Sequence, residues 1–451
     1  MERRDFIKLC SMTGLSVVAG STLSGREAKA EEYTGTFFIN IAQMGGWDVT
    51  SICDPKGCAS QAEAEADAPT DAMNRYLTAN IRETAGIRYA ALSESPRVVG
   101  DPNALAGALA MEQFFLDHAA RMLVINGIDY ETNSHDVGAR LSVTGNSNEN
   151  TAAFGAVAAA ALMPTAPMGF VGFGGYIGTG GLTSVTRLGD IDVIKRLAFP
   201  YRADPDDPNA VYFNDAQVDM IAKARKARFD AKMGAQKLPK VRTAMNTLYL
   251  SRLGQNELKR LVEYLPQEVE DGIAGRIQLA SAAYRAGLAV AVSISSDRGW
   301  DHHGDVDTNV ANSLGSLFNA ETGVPRGLAI LEEQGMLDKT LLSLTSDFGR
   351  TPGYNDGDGK DHWPITSNIF LGGVGGRPIK PGVKGGSNDR HESLEVNPDT
   401  GVVQEGSGLT IKAGHVQNAL RRLAGVLDSD ASRAQPTTQD VNELANLIEL
   451  S

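Results

Sequence analysis

Leu341-Leu342-Ser343-Leu344-Thr345-Ser346-Asp347-Phe348-Gly349-Arg350 is an apolar run that stops at an acid. Upstream, Leu288 to Ile294 is a second apolar run, followed by Gly299-Trp300-Asp301-His302-His303; downstream lies Lys360-Asp361-His362-Trp363. Two buried strands, each ending just before a metal-type ligand, predict an open parallel α/β sheet, because such sheets bind ligands beyond the carboxyl ends of their strands. In an extended stretch residues two apart share a side, so Asp301 and His303 can meet one ion while His302 points away. Carboxylate with imidazole suits zinc, manganese or iron better than magnesium or calcium, although the last two stay open.

Working outward, strands and helical patterns alternate along the chain. Gly35 to Ala42 reads as the first strand and ends in Met44-Gly45-Gly46-Trp47-Asp48. Residues 102–119 have helical spacing, Met122 to Ile128 form a strand, and a polar turn leads into a helix from Val137. Thr151 to Leu162 is a small-residue helix, and the glycine-rich residues 165–188 read as a loop or hairpin. Gln217 to Glu263, rich in Lys, Arg, Ala and Leu, predicts two or three surface helices inserted at about 215–265. Residues 271–287 form a helix, Thr308 to Gln334 a further one, Gly372 to Gly386 a hairpin, and His415 to Leu427 a late helix. The expected fold is one large α/β domain over 31–451, an α/β/α sandwich with a mainly parallel sheet. No period of 20 to 50 residues repeats, and the glycine strings lack the strand-GxGxxG-helix context of a dinucleotide site.

The amino terminus, Met1-Glu2-Arg3-Arg4-Asp5-Phe6-Ile7-Lys8, precedes a weakly apolar stretch and Ala28-Lys29-Ala30. Twin arginine, a short hydrophobic region and a small-x-small site read as a Tat export signal over 1–30, directing the protein to the periplasm or beyond. The apolar stretch is too short for a stable membrane span. Residues 1–30 carry five basic and three acidic side chains, net +2, so of the total charge of −13 the remainder holds −15. That balance argues against nucleic acid or anionic lipid as the main partner. Cys53 and Cys58 flank Asp54-Pro55-Lys56-Gly57, and an oxidising compartment predicts a small disulfide loop there.

Taken together, Gly46-Trp47-Asp48, Asn133-Ser134-His135-Asp136 with Thr144-Gly145, Gly299-Trp300-Asp301-x-His303, Ser346-Asp347-Phe348-Gly349-Arg350-Thr351 and Asp361-His362 resemble the Tat-exported proteins grouped as domain-of-unknown-function family 1501. That family is similar to the alkaline phosphatase and sulfatase superfamily, so the resemblance implies an alkaline-phosphatase-like sandwich. It also implies two metals over the sheet edge, with a nucleophile that starts a helix between them. By position, Asp48 is then the strand-one metal ligand and Ser134 the nucleophile candidate. Asp301, His303 and His362 make one metal site, and Asp347 joins Asp48 in the other. The chain departs from the superfamily where Ser346-Asp347-Phe348-Gly349 replaces Ser-Asp-His-Gly, and Asn133-Ser134-His135 is not the cysteine signature that sulfatases convert to formylglycine.

Beside that resemblance, the residues themselves leave choices open. Ser134 reads equally as a helix cap. His135 is a base for it, a metal ligand, or a group that positions one. Arg350 binds an anionic ester oxygen or pairs with Asp347. His118 and His415 lie in helical patterns and read as structural, His302 and His391 are undecided, and Trp47 and Trp300 pack beside the key aspartates. The expected function is an exported, divalent-metal-dependent hydrolase of a phosphate or sulfate ester, on a small molecule or polymer. The alternative is a non-catalytic exported binding or assembly factor that keeps the fold, since function resides in the site.

Overall fold

The computed structural model describes residues 32–451 apart from 67–71, 165, 167, 240, 243, 244, 246–248 and 250–257. The twin-arginine segment therefore lies outside the described residues, as does part of the expected 215–265 insertion. In chain order the framework is β1 (Phe37–Gln43), α1 (Pro102–His118), β2 (Met122–Asp129), α2 (His135–Thr144), α3 (Phe154–Leu162), β3 (Phe170–Phe173), β4 (Val185–Thr186), α4 (Ile191–Ala198) and α5 (Asp215–Ala235). It continues through α6 (Gly272–Arg285), β5 (Ala291–Ser295), α7 (Val306–Leu317), α8 (Val324–Glu333), β6 (Thr340–Ser346), β7 (Ile365–Val374), β8 (Gly382–Gly385) and α9 (Ala413–Leu423).

The central sheet has the order β8-β2-β7-β6-β1-β5-β3-β4. Strand β1 pairs in parallel with both β5 and β6, and β3 continues the parallel set beyond β5. Only β7 breaks the pattern: it runs antiparallel to β6, to β2 and to the short Arg377–Pro378 strand beside it. The carboxyl ends of β3, β5, β1 and β6 therefore share one edge.

Alternation along β1 sorts the layers. Phe37, Ile39 and Ile41 enter a core cluster with Met111, Phe114 and Phe115 of α1 and with residues of α6, α7 and α8. Phe38 faces the other side and packs edge-on against Phe154 of α3, at 5.1 Å between ring centroids, in a cluster that includes α2 and α9. Helices thus cover both faces, and buried strands with continuous apolar runs are what such a covered parallel sheet requires.

Three expectations change. Thr308 to Gln334 is two helices, because Pro325 sits in the first turn of α8, where proline is tolerated, and Gly323 caps it. The glycine-rich 165–188 segment contributes β3 and β4 to the sheet instead of a separate hairpin. Cys53 and Cys58 are both free and buried. The Cys58 thiol donates to the Tyr76 carbonyl at 3.3 Å and the Cys53 thiol faces Asn126 Oδ1 at 3.7 Å, so the two side chains turn to different partners. No helix among the described residues is long and apolar enough to cross a membrane.

Candidate metal centre

Three loops meet at the carboxyl edge of the sheet. After β1 the chain turns through Gly45 and Gly46, both left-handed with φ of 117° and 80°. A Cβ on Gly45 would lie 2.5 Å from the Asp301 nitrogen, and one on Gly46 2.4 Å from the Phe348 ring. Glycine is required at both, since the β1 loop meets the backbone of the β5 loop at Gly45 and the Phe348 side chain of the β6 loop at Gly46. Trp47 and Trp300, both fully buried, cross edge to face at 6.3 Å and fasten the first two loops together.

Asp347 follows β6 directly and is fully buried. Its Oδ1 accepts the Gly46 N–H at 2.6 Å and the Ser346 hydroxyl at 3.2 Å. Its Oδ2 faces His135 Nδ1 at 2.6 Å. His135 is the first residue of α2, and Gly138, one turn on, lets the helix come close enough: a Cβ there would lie 1.9 Å from the Asp347 carbonyl oxygen. The resemblance implied Asp347 as a direct metal ligand; in the structure its oxygens hold the β1 loop and the imidazole, and it lies outside the group formed by His135, Asp301 and His362.

His362 stands opposite, on a two-residue strand paired with Gly349–Arg350. His362 Nδ1 is 2.9 Å from the Asn133 carbonyl oxygen. His303 Nδ1 is 3.0 Å from Asp361 Oδ1, a contact that holds the Asp361 carboxyl below the usual carboxylate range. A carbonyl or ionised carboxylate only accepts hydrogen bonds. Assigning the proton of each of the three imidazoles to Nδ1, where the partner is an acceptor, turns the lone pair of Nε2 inward and leaves it for a cation.

Those lone pairs converge on Asp301. His303 Nε2 lies 2.9 Å and His362 Nε2 3.1 Å from Asp301 Oδ1, and the two nitrogens are 3.0 Å apart. His135 Nε2, buried and without a hydrogen-bond partner, lies 3.5 Å from Asp301 Oδ2. His135, Asp301 and His362 together offer ligand atoms within 4.8 Å of one another. Atoms that share one zinc ion at about 2.0–2.1 Å sit roughly 3.0–3.4 Å apart, so this donor set fits a cation. Partial burial pushes the Asp301 carboxyl up, but the hydrogen bond and charge of the Arg350 guanidinium outweigh it and hold the group well below its ordinary value.

Arg350 is almost wholly buried. Its Nε donates to the Gly46 carbonyl at 2.8 Å, Nη1 to the Lys360 carbonyl at 2.9 Å, and Nη2 to the Trp300 carbonyl at 3.0 Å and Asp301 Oδ1 at 2.7 Å. A guanidinium so engaged ties the three loops together and keeps Asp301 ionised; it is not presented to an ester oxygen, and its carboxylate partner is Asp301, not Asp347. Asp48 does not join the cluster either. Its Oδ2 accepts from Lys360 Nζ at 2.5 Å, and its Oδ1 accepts from Thr50 Oγ1 at 2.6 Å. Burial opposes ionisation of Asp48, yet the Lys360 ammonium holds its carboxyl below the usual range. The expected second metal site is thereby replaced by a buried ion pair.

Ser134 is exposed at the N-cap of α2 and makes no side-chain cap bond, so the bland capping role is not what occupies its hydroxyl. His302 turns away to Ser313 Oγ at 3.1 Å. His391 is fully buried, contacts the Arg350 carbonyl through Nδ1 at 3.1 Å, and accepts the Trp363 indole N–H on its carbonyl at 2.7 Å. His118 and His415 sit in α1 and α9, away from the cluster's bonds. Sequence reasoning missed Asp361 and the Asn133 carbonyl as anchors and Lys360 as the partner of Asp48. The sequence signal for Asp361 was its place beside His362 in Lys360-Asp361-His362; the Asn133 carbonyl had none, because backbone groups carry no residue signature.

No curated protein matches the chain. A crystal structure of Ps i-CgsB in complex with k-i-k-neocarrahexaose is similar over 90% of this chain and 75% of that one, at 10% identity and a TM-score of 0.33, too low to bear on fold or function. Residues 224–401, the stretch that carries Asp301, His303, Asp347, Arg350 and His362, match the family model DUF1501, described as a protein of unknown function.

Proposed function

We propose that the chain is an exported metal-dependent hydrolase acting on an ester, phosphate or sulfate above all, with an alkaline-phosphatase-like sandwich around its site. One observation carries this reading: three imidazoles, each anchored at Nδ1 by an oxygen acceptor, aim Nε2 at one carboxylate. Outer acceptors that fix the tautomer and orientation of an imidazole are the usual partners of metal-binding histidines. His303, His362, Asp301 and His135 would hold a divalent cation, and so nitrogen-rich a set favours zinc, manganese or iron over magnesium or calcium. Such a cation supplies Lewis-acid polarisation of an ester oxygen. Ser134 offers a free hydroxyl beside His135, at the positive end of the α2 dipole, where negative charge developing on the substrate is stabilised. Arg350 keeps Asp301 ionised, and Asp347 holds His135 in place.

Export by the twin-arginine route belongs to the same proposal: replacing Arg3 and Arg4 by lysine should hold the precursor in the cytoplasm. The alternative, a non-catalytic exported binding or assembly factor, is favoured by Phe348. Its ring packs at 4.6 Å from His135 and 4.5 Å from His362, in the place of the superfamily's histidine. Metal analysis of the purified mature protein, with hydrolysis of p-nitrophenyl phosphate and p-nitrophenyl sulfate, separates the two. Bound metal with turnover supports the hydrolase; bound metal without turnover of any ester supports the factor; no metal removes both metal-based readings.

A further inference from the structure

The loop after β3 leaves the same carboxyl edge of the sheet as the loops that carry Asp301 and Asp347. Between that loop and α2 lies a cleft of about 560 Å³ whose walls include Arg140, Glu149, Tyr176, Thr179, Gly180 and Gly181. Arg140 is five residues beyond His135 on α2, about 7.5 Å along the helix axis. It is the one cation in the lining, and among the described residues no ion pair to it is formed, Glu149 of the same lining included. Its Nη1 donates to the Ser147 carbonyl, while Nε is buried without a hydrogen-bond partner. Across from it, Gly180 and Gly181 are left-handed, with φ of 54° and 78°. The Thr179, Gly180 and Gly181 N–H groups find no backbone acceptor among the described residues. The Tyr176 hydroxyl donates to the Thr151 carbonyl at 2.8 Å and turns its acceptor side to Arg140. A guanidinium whose contacts are a carbonyl and a hydroxyl, neither of them anionic, and N–H groups without a backbone acceptor are what an acidic group needs. Glu149 is exposed on the rim and, when ionised, only accepts hydrogen bonds, so it suits a ligand that also carries hydroxyls.

We infer that this cleft is a second recognition subsite, taking an acidic group of a polyhydroxylated substrate on Arg140 and the Thr179–Gly181 backbone, with substrate hydroxyls on Glu149. The inference rests on the proposed hydrolase only in saying that the bound part belongs to the ester substrate. The carboxylate, sulfate and phosphate forms share this chemistry.

Calorimetric titration of the full mature chain with glucuronate, glucose 6-sulfate, glucose 6-phosphate and glucose tests it, in the parent and in His362→Ala, whose metal centre is disabled. Acidic sugars should bind both proteins and glucose neither, and the tightest of the three acids identifies the group. Arg140→Gln should weaken the acids about tenfold or more, with Arg140→Lys intermediate. Gly181→Asp places a negative charge where a Cβ meets nothing within 4 Å, at a left-handed φ that Asp adopts more readily than most residues, and should abolish acid binding while the fold, checked by its melting temperature, is kept. Equal binding of glucose and the acids, unchanged affinity in both Arg140→Gln and Gly181→Asp, or loss of binding in His362→Ala alone would overturn the subsite. Absence of metal from the parent would sink the hydrolase while leaving an Arg140-dependent affinity standing, so the two failures are distinct.

Discussion

His303 Nε2 and His362 Nε2, 59 positions apart in the chain, face each other at 3.0 Å with their Nδ1 protons committed to Asp361 and to the Asn133 carbonyl. Two neutral imidazoles in this arrangement present lone pair to lone pair, which repels. Either a proton on one ring or a cation between them must relieve the contact, and Asp301 Oδ1, 2.9 Å and 3.1 Å from the two nitrogens, completes the pocket for a positive charge.

Metal content follows from that geometry. His303→Ala and His362→Ala should each lose bound divalent metal, measured by elemental analysis after gel filtration, and chelation of the parent should lower its melting temperature to about theirs. Asp361→Asn should keep the metal but weaken its affinity about 10- to 100-fold, because it removes only the carboxylate that orients His303. Unaltered metal content in both alanine variants would leave the cluster as a hydrogen-bonded relic.

Ser134 separates chemistry from folding. Since its hydroxyl makes no cap bond, Ser134→Ala should change stability by less than about 0.5 kcal/mol. If it is the nucleophile, kcat/KM for the ester should fall at least about a hundredfold. Full activity in the variant would transfer the attack to water.

The Asp48–Lys360 pair should reveal itself in denaturation. Both side chains are fully buried, and removing one partner strands the other. Lys360→Met is expected to cost about 3–5 kcal/mol, read from the urea midpoint and slope, and Asp48→Asn/Lys360→Met should recover a large part of it. A double variant no more stable than the single would mean that the pair's other bonds, to Thr50 and Asn74, dominate.

His391 predicts an acid limb to stability. Burial depresses its pKa to about 4, so the folded protein keeps the ring neutral while the unfolded chain protonates it below about pH 6.5. Its contribution is complete above that pH and is lost as the pH falls towards 4, by up to about 1.4 kcal/mol per unit. Asn tolerates the left-handed backbone at this position, φ 56°. His391→Asn should therefore lose less stability than the parent between pH 7 and pH 5, and identical losses would contradict the assignment.

Strand ends were legible in the sequence because burial on both faces writes continuous apolar runs: Leu288 to Ile294 and Thr340 to Thr345 led to β5 and β6, and the parity of Asp301 and His303 anticipated His302 turning away to Ser313. Strand β7 and the sheet role of β3 were not read, the first because a polar, glycine-containing strand lacks that run and the second because glycine reads locally as loop. Residue chemistry alone thus determined the α/β class with a mainly parallel sheet and that Asp301 and His303 share one side near its edge, while His362 joined them through the family resemblance. Which oxygens remain free to bind anything was decided only by tertiary structure. Asp48, Asp347 and Arg350 look alike as candidates in the sequence, yet Lys360 neutralises the first, the β1 loop and His135 take up the second, and four carbonyls and Asp301 absorb the third. A side chain's type sets what it can bind, whereas its partners, brought from hundreds of residues away by the packing of three loops, set what is left for it to do.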